Sequence, residues 1–111
     1  MTDVRVVLMT APDVGTAERL GNTLVSERLA TCANVVPTLS SIYWWQGKVE
    51  KASEALLILK TVQERIAPLR ERAVELHPYD VPELLVLEVR EGHEPYLDWV
   101  RRESAPRTQE G

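Results

Sequence analysis

The sequence has 111 residues, enough for one domain and too few for two. Hydrophobic residues make up 44% and charged residues 27%, and 13 basic against 17 acidic side chains leave a net charge of −4. That balance excludes a dedicated nucleic-acid binder, no apolar run approaches the ~20 residues that span a bilayer, and the single cysteine, Cys32, excludes an internal disulfide framework. The expectation is a small cytoplasmic protein with neither nucleic-acid nor membrane partners.

Val4 to Thr10 is β-branched and almost continuously apolar, which predicts a central strand covered on both faces. Asp13 is placed to cap a helix whose apolar positions Val14, Ala17, Leu20, Leu24, Val25 and Leu29 fall at helical spacing. Gly21 lies on that stripe, so close packing of helix on sheet is its simplest role. Cys32 to Trp45 reads as extended, with Pro37 marking a bulge or an edge position. Gln46-Gly47 supplies a tight hairpin turn, and the return strand runs from Lys48 to about Thr61. A second helix carries Ile66, Leu69, Ala73, Val74 and His77 on one side, with Pro68 in its first turn and Pro78 as its stop. Leu84 to Val89 is a fourth strand, and Pro95 opens a short helix bearing Leu97, Trp99 and Val100. Residues 1–103 thus form a single domain, and Ser104 to Gly111 is expected to be a disordered tail.

The order β-α-β-β-α-β plus a terminal helix defines an α+β, ferredoxin-like split βαβ fold: one antiparallel sheet with both main helices on one face. In its hairpin, Tyr43 and Trp45 share one face and Trp44 takes the other. Helices cover only one face of such a sheet, and the hairpin is longer than the other strands can pair. Its far half must therefore project from the monomer, and an uncovered aromatic strand calls for a partner subunit.

The segment His77-Pro78-Tyr79-Asp80-Val81-Pro82-Glu83 puts an imidazole, a phenol and two carboxylates on a loop stiffened by two prolines. His77 reads either as a helix C-cap or as a functional side chain. Glu83 is expected to meet Lys60 at the end of the long strand, as a structural pair or as a ligand-holding pair. Cys32 reads as a small buried hydrophobe or as a metal ligand, and no CxxC or HxxxH spacing decides between them.

The runs Glu27 to Pro37 (ERLATCANVVP), Ser41 to Glu50 (SIYWWQGKVE), Leu59-Lys60-Thr61, His77 to Leu85 (HPYDVPELL) and Tyr96 to Trp99 (YLDW) resemble, in that order and spacing, the CutA divalent-cation-tolerance family. The resemblance covers Val4 to about Arg102. It implies a ferredoxin-like fold related to the PII signalling proteins, a homotrimer packed through the long hairpins, cytoplasmic location and no established enzymatic reaction. It also implies tolerance of copper and other divalent cations, with copper or another divalent cation bound and no organic cofactor. Cys32 matches the family's cysteine after the first helix and His77 the histidine of its HPY motif, which makes these two the implied metal residues. Positions that hold a further cysteine and histidine in some members are Met9 and Leu76 here. Three functions follow: a metal-tolerance trimer that binds cations weakly, a PII-like trimer that binds a small ligand between subunits, and an enzyme using His77 and Glu83 as acid and base. The expected cleft residues are Tyr43, Trp45, Lys60, Tyr79, Glu83 and Trp99.

Overall fold

Strand β1 (Val4–Ala11) buries alternate residues: Val7, Met9 and Ala11 point one way, and half-buried Val6, Leu8 and Thr10 point the other. Helix α1 (Val14–Ser26) begins at Asp13, whose carboxylate accepts the Thr16 amide hydrogen at 2.7 Å. It ends earlier than the apolar spacing predicts. Arg28 takes a left-handed φ of 59°, the Arg28 amide donates to the Val25 carbonyl, and the Leu29 amide reaches back to the Leu24 carbonyl at 2.9 Å. This is a Schellman closure with arginine in the place usually held by glycine. Leu29 stays buried because that motif folds its apolar residue back on the helix, so its spacing mimics one more helical turn.

A computed structural model describes residues 2–106. Strands β2 (Cys32–Trp45) and β3 (Lys48–Val62) form the expected hairpin. Gln46 and Gly47 both have positive φ, 49° and 81°, as a type I′ turn requires. Val36 pairs with Leu56 and Leu39 with Glu54, so the bulge at Pro37-Thr38 inserts one extra residue into β2. A 3-10 turn (Gln63–Arg65) leads into α2 (Ile66–Leu76), with Pro68 in its first turn, and strand β4 (Leu85–Glu88) is shorter than expected. Helix α3 (Glu94–Ser104) closes the chain. Ser104, expected to open the tail, is fully buried and donates its hydroxyl to the Val100 carbonyl at 2.7 Å. The remainder of that expected tail, 107–111, lies outside the described residues.

The sheet order is β2-β3-β1-β4 with every pairing antiparallel, which is the ferredoxin-like arrangement. Helices α1 and α2 lie on one face, where Ala17, Leu20, Leu24, Ile66, Leu69 and Ala73 meet Val7, Met9, Ala11, Ala55, Leu57 and Leu59. Helix α3 caps one end of the other face, burying Val4 and Val62 under Leu97 and Val100. Register places Val36, Leu56, Ile58, Val6, Leu8, Leu85 and Leu87 together on the remainder of that second face, which no helix covers. β1 pairs with β3 only as far as Ala11–Ala55, so the outer hairpin projects and the molecule measures 51 × 34 × 22 Å.

Gly21 marks a tight helix–sheet approach. A Cβ there would stand 2.9 Å from Ala33 Cβ and 3.2 Å from Leu57 Cδ1, both fixed within the sheet. Gly21→Val should therefore destabilise the fold by about 2 kcal/mol through overpacking. A urea unfolding midpoint unchanged from wild type would contradict this contact.

Candidate functional site

The α2–β4 loop wraps the Ala11 end of β1, and His77 ties it there. His77 is buried, and its Nε2–H donates to the Thr10 carbonyl at 2.8 Å, while Nδ1 accepts the Tyr79 amide hydrogen at 3.0 Å. Both ring nitrogens are thus engaged by the neutral imidazole. His77 holds the C-cap position of α2, its amide donating to the Ala73 carbonyl at 3.0 Å, while its side chain joins the loop to the sheet rather than bonding the helix's own last carbonyls. The Tyr79 ring packs on the imidazole at a centroid distance of 4.7 Å, and its hydroxyl donates to Glu54 Oε2 at 2.8 Å.

These contacts form one wall of a cavity of about 610 Å³, lined by Thr10, Ser41, Ile42, Tyr43, Trp45, Glu54, Tyr79, Asp80, Val81 and Glu83. The bulge makes the opposite wall possible. Before it, even-numbered β2 residues share a face with Leu56 and Ile58; after it, odd-numbered ones do, so Tyr43 and Trp45 join Glu54. Of the expected cleft residues, Tyr43, Trp45, Tyr79 and Glu83 line the cavity. Glu54 was missed, although counting outward from the Gln46-Gly47 turn already puts it on the Tyr43 side.

Lys60 and Trp99 lie elsewhere, and the expected Lys60–Glu83 pair is not formed. β3 runs antiparallel to β1, and β1 antiparallel to β4, so the end of β3 lies near the end of β4 rather than its start. Lys60 stands level with Val6, whereas the residues before β4 stand level with Thr10, about 14 Å along the strand. The Lys60 ammonium instead donates to Asn34 Oδ1. Trp99 lines a second hollow of about 580 Å³ with Val25, Arg28, Thr31 and Glu103.

Cys32 and His77 do not converge. Cys32 pairs with Lys60 and lies 3.8 Å from the Tyr96 hydroxyl, at the end of the sheet away from Thr10 and His77. Met9, which stands where some members hold a further cysteine, is fully buried under the helices. Among the described residues no group of three His, Cys, Asp or Glu side chains is arranged to hold a metal ion. The soft donors of one chain therefore do not fit a resident copper centre.

Burial and the Glu54 carboxylate push the Tyr79 phenol up to about 12 from an ordinary 10.0. The folded protein holds this proton more tightly than the unfolded chain. The resulting stability is complete below pH 10 and is lost as pH rises from about 10 to about 12. Spectrophotometric titration should show a tyrosine ionising near the upper value, and Tyr79→Phe should remove that step. A wild-type curve with every tyrosine at the ordinary value would contradict the Glu54 contact.

A four-stranded antiparallel ferredoxin-like sheet with helices α1 and α2 on one face, an overlong hairpin and a carboxylate-lined cavity beside it define a small α+β protein. The family model for the CutA1 divalent ion tolerance protein matches residues 5–103, and the chain belongs to that family. The divalent-cation tolerance protein CutA of Thermus thermophilus is 49% identical over 96 residues, which cover 86% of this chain and 93% of that protein. The chloroplastic protein CutA 1 of rice is 42% identical over 96 residues, 86% of this chain but 54% of the rice protein, so the chain spans about half of that relative. A solved structure of the Thermus thermophilus protein superposes with a TM-score of 0.90 at 46% identity, covering 92% of this chain and 99% of that one. Among the described residues no helix is long and apolar enough to cross a membrane.

Proposed function

We propose that this chain is a non-enzymatic, homotrimeric protein of divalent-cation tolerance that holds cations weakly in the acidic cavity at the subunit boundary. The observation that carries the reading is the lining itself: Glu54, Asp80 and Glu83 surround one hollow whose lining includes no lysine, arginine or histidine. Carboxylates that surround a space without converging attract divalent cations through their summed field but do not bind them tightly. Cu²⁺ is among the cations such oxygen donors take, since it outranks the other first-row divalent ions at most sites. The trimer is supported by the open apolar face of the sheet, and a reducing, cytoplasmic setting by the free Cys32 thiol.

Calorimetric titration of Cu²⁺ and Zn²⁺ tests the reading. The Glu54→Gln, Glu83→Gln double variant should lose affinity by about tenfold, because two charges leave the cavity while Tyr79 keeps an acceptor. Cys32→Ser should leave affinity unchanged. Full affinity in the carboxamide variant, or its loss on Cys32→Ser, would move the site away from the cavity. A second reading, a PII-like trimer with a small molecule between subunits, is favoured by the size of the cavity and by its three aromatic side chains.

A further inference from the structure

We propose that the cavity takes an organic ammonium cation, held against the rings of Tyr43, Trp45 and Tyr79 and neutralised by Glu54, Asp80 and Glu83. This rests on the reading of the cavity as the cation site and narrows the chemical class of its occupant. A bare divalent ion needs several oxygen ligands directed at one point at 2–2.6 Å. The described residues supply no such group. An alkylated ammonium has no such requirement. Its charge is spread over a shell of C–H groups, which aromatic faces attract through their quadrupole and which carboxylates neutralise from further away.

Three further observations agree. The cavity, at about 610 Å³, has the size of an organic-ligand pocket and exceeds what one metal ion fills. Its lining combines three aromatic residues with three carboxylates and holds no basic side chain to repel a cation. One aromatic wall is already set: Tyr79 is fixed by its ring contact with His77, by the hydrogen bond its amide donates to His77 Nδ1 and by the one its hydroxyl donates to Glu54, so little freedom remains to be lost on binding. The register that puts Lys60 at the other end of the sheet keeps the nearest β3 lysine on that face, apart from the tip, out of the cavity.

The test titrates the full-length, assembled protein with tetramethylammonium chloride, its neutral near-isostere tert-butanol, and MgCl₂, reading the Trp45 indole and Tyr79 amide resonances by NMR. Tetramethylammonium should shift both saturably in the millimolar range, and tert-butanol should bind at least about tenfold more weakly, as the charge dictates. Trp45→Leu and Glu83→Gln should each weaken tetramethylammonium by about fivefold or more. If Trp45→Leu fails to assemble, Glu83→Gln decides alone, since Glu83 is an exposed loop residue whose carboxylate has no hydrogen-bond or ion-pair partner among the described residues. Equal binding of the neutral isostere, no saturable shift, or unchanged affinity in Glu83→Gln overturns the proposal. Mg²⁺ separates the two levels: shifts by Mg²⁺ alone sink the ammonium class and leave the divalent reading standing. Shifts by tetramethylammonium alone support the ammonium class, and the Cu²⁺ and Zn²⁺ titrations then decide the divalent reading.

Discussion

Leu57→Ala is expected to cost about 3 kcal/mol of folding stability. Leu57 is fully buried in the middle of β3, between Met9 on β1 and Val35 on β2, and α1 crosses directly above it. Neighbours on both sides belong to paired strands, and the helix above already approaches it closely through Gly21. The site therefore has little room to collapse around the removed atoms, and the cavity adds to the lost transfer energy. Urea unfolding should show a lower midpoint at an unchanged slope. Val81→Ala serves as the control: that side chain is 84% exposed, and its truncation should change stability by no more than about 0.5 kcal/mol. Measurements at one protein concentration keep any association equilibrium from entering the comparison. A loss below about 1 kcal/mol at Leu57 would mean that the helix–sheet core is looser than the Gly21 contact implies.

The fold was legible wherever a residue forces the backbone. Gln46-Gly47 admits both positive φ angles of a tight turn, and Pro68 and Pro95 start helices that they could not continue. Periodicity did the rest, because buried strands and amphipathic helices repeat at two different spacings. The errors arose where local spacing imitates something else. Leu29 sits where another helical turn would place it, yet it is the apolar residue of a Schellman closure, made unexpectedly by an arginine with positive φ.

Site residues were harder to place, because sequence order does not state which strand ends adjoin. Glu83 and Lys60 both lie at strand termini, and only the antiparallel register shows them at opposite ends of the sheet. Tyr43 and Trp45 were readable from hairpin alternation, and the rigid loop around Tyr79 from its two prolines. The face of Glu54 follows by counting outward from the Gln46-Gly47 turn, but its bond to Tyr79 does not, because that requires the α2–β4 loop to be folded against the sheet. Cys32 and His77 match family motifs, but motif order carries no distance. In the fold, Cys32 approaches Tyr96 while His77 spends both nitrogens on Thr10 and Tyr79.

Leu87→Asp should convert the proposed trimer into folded monomers. Leu87 lies on β4, opposite Val6, and is 46% exposed in the single chain. It belongs to the uncovered sheet face with Leu8, Leu56, Ile58, Val36 and Leu85. In an isolated subunit a charge there meets water, so the substitution should change stability by no more than about 0.5 kcal/mol. In an assembly that covers this face, the same carboxylate is buried without a partner, at a cost on the order of 3–5 kcal/mol per subunit. A closed trimer has one interface per subunit, so each contact loses about two to four powers of ten in affinity. Sedimentation velocity at micromolar concentration should give a trimer for the wild type and a monomer for Leu87→Asp, with far-ultraviolet circular dichroism the same for both. Glu88→Gln, one residue further along on the other face of the strand, should remain trimeric, because Glu88 pairs with Arg5 at the sheet edge and is not part of the apolar patch. A monomeric wild type would remove the trimer from the functional reading. A trimeric Leu87→Asp would place the subunit contact on the hairpin tip, where Trp44 is 75% exposed on the opposite face from Tyr43 and Trp45.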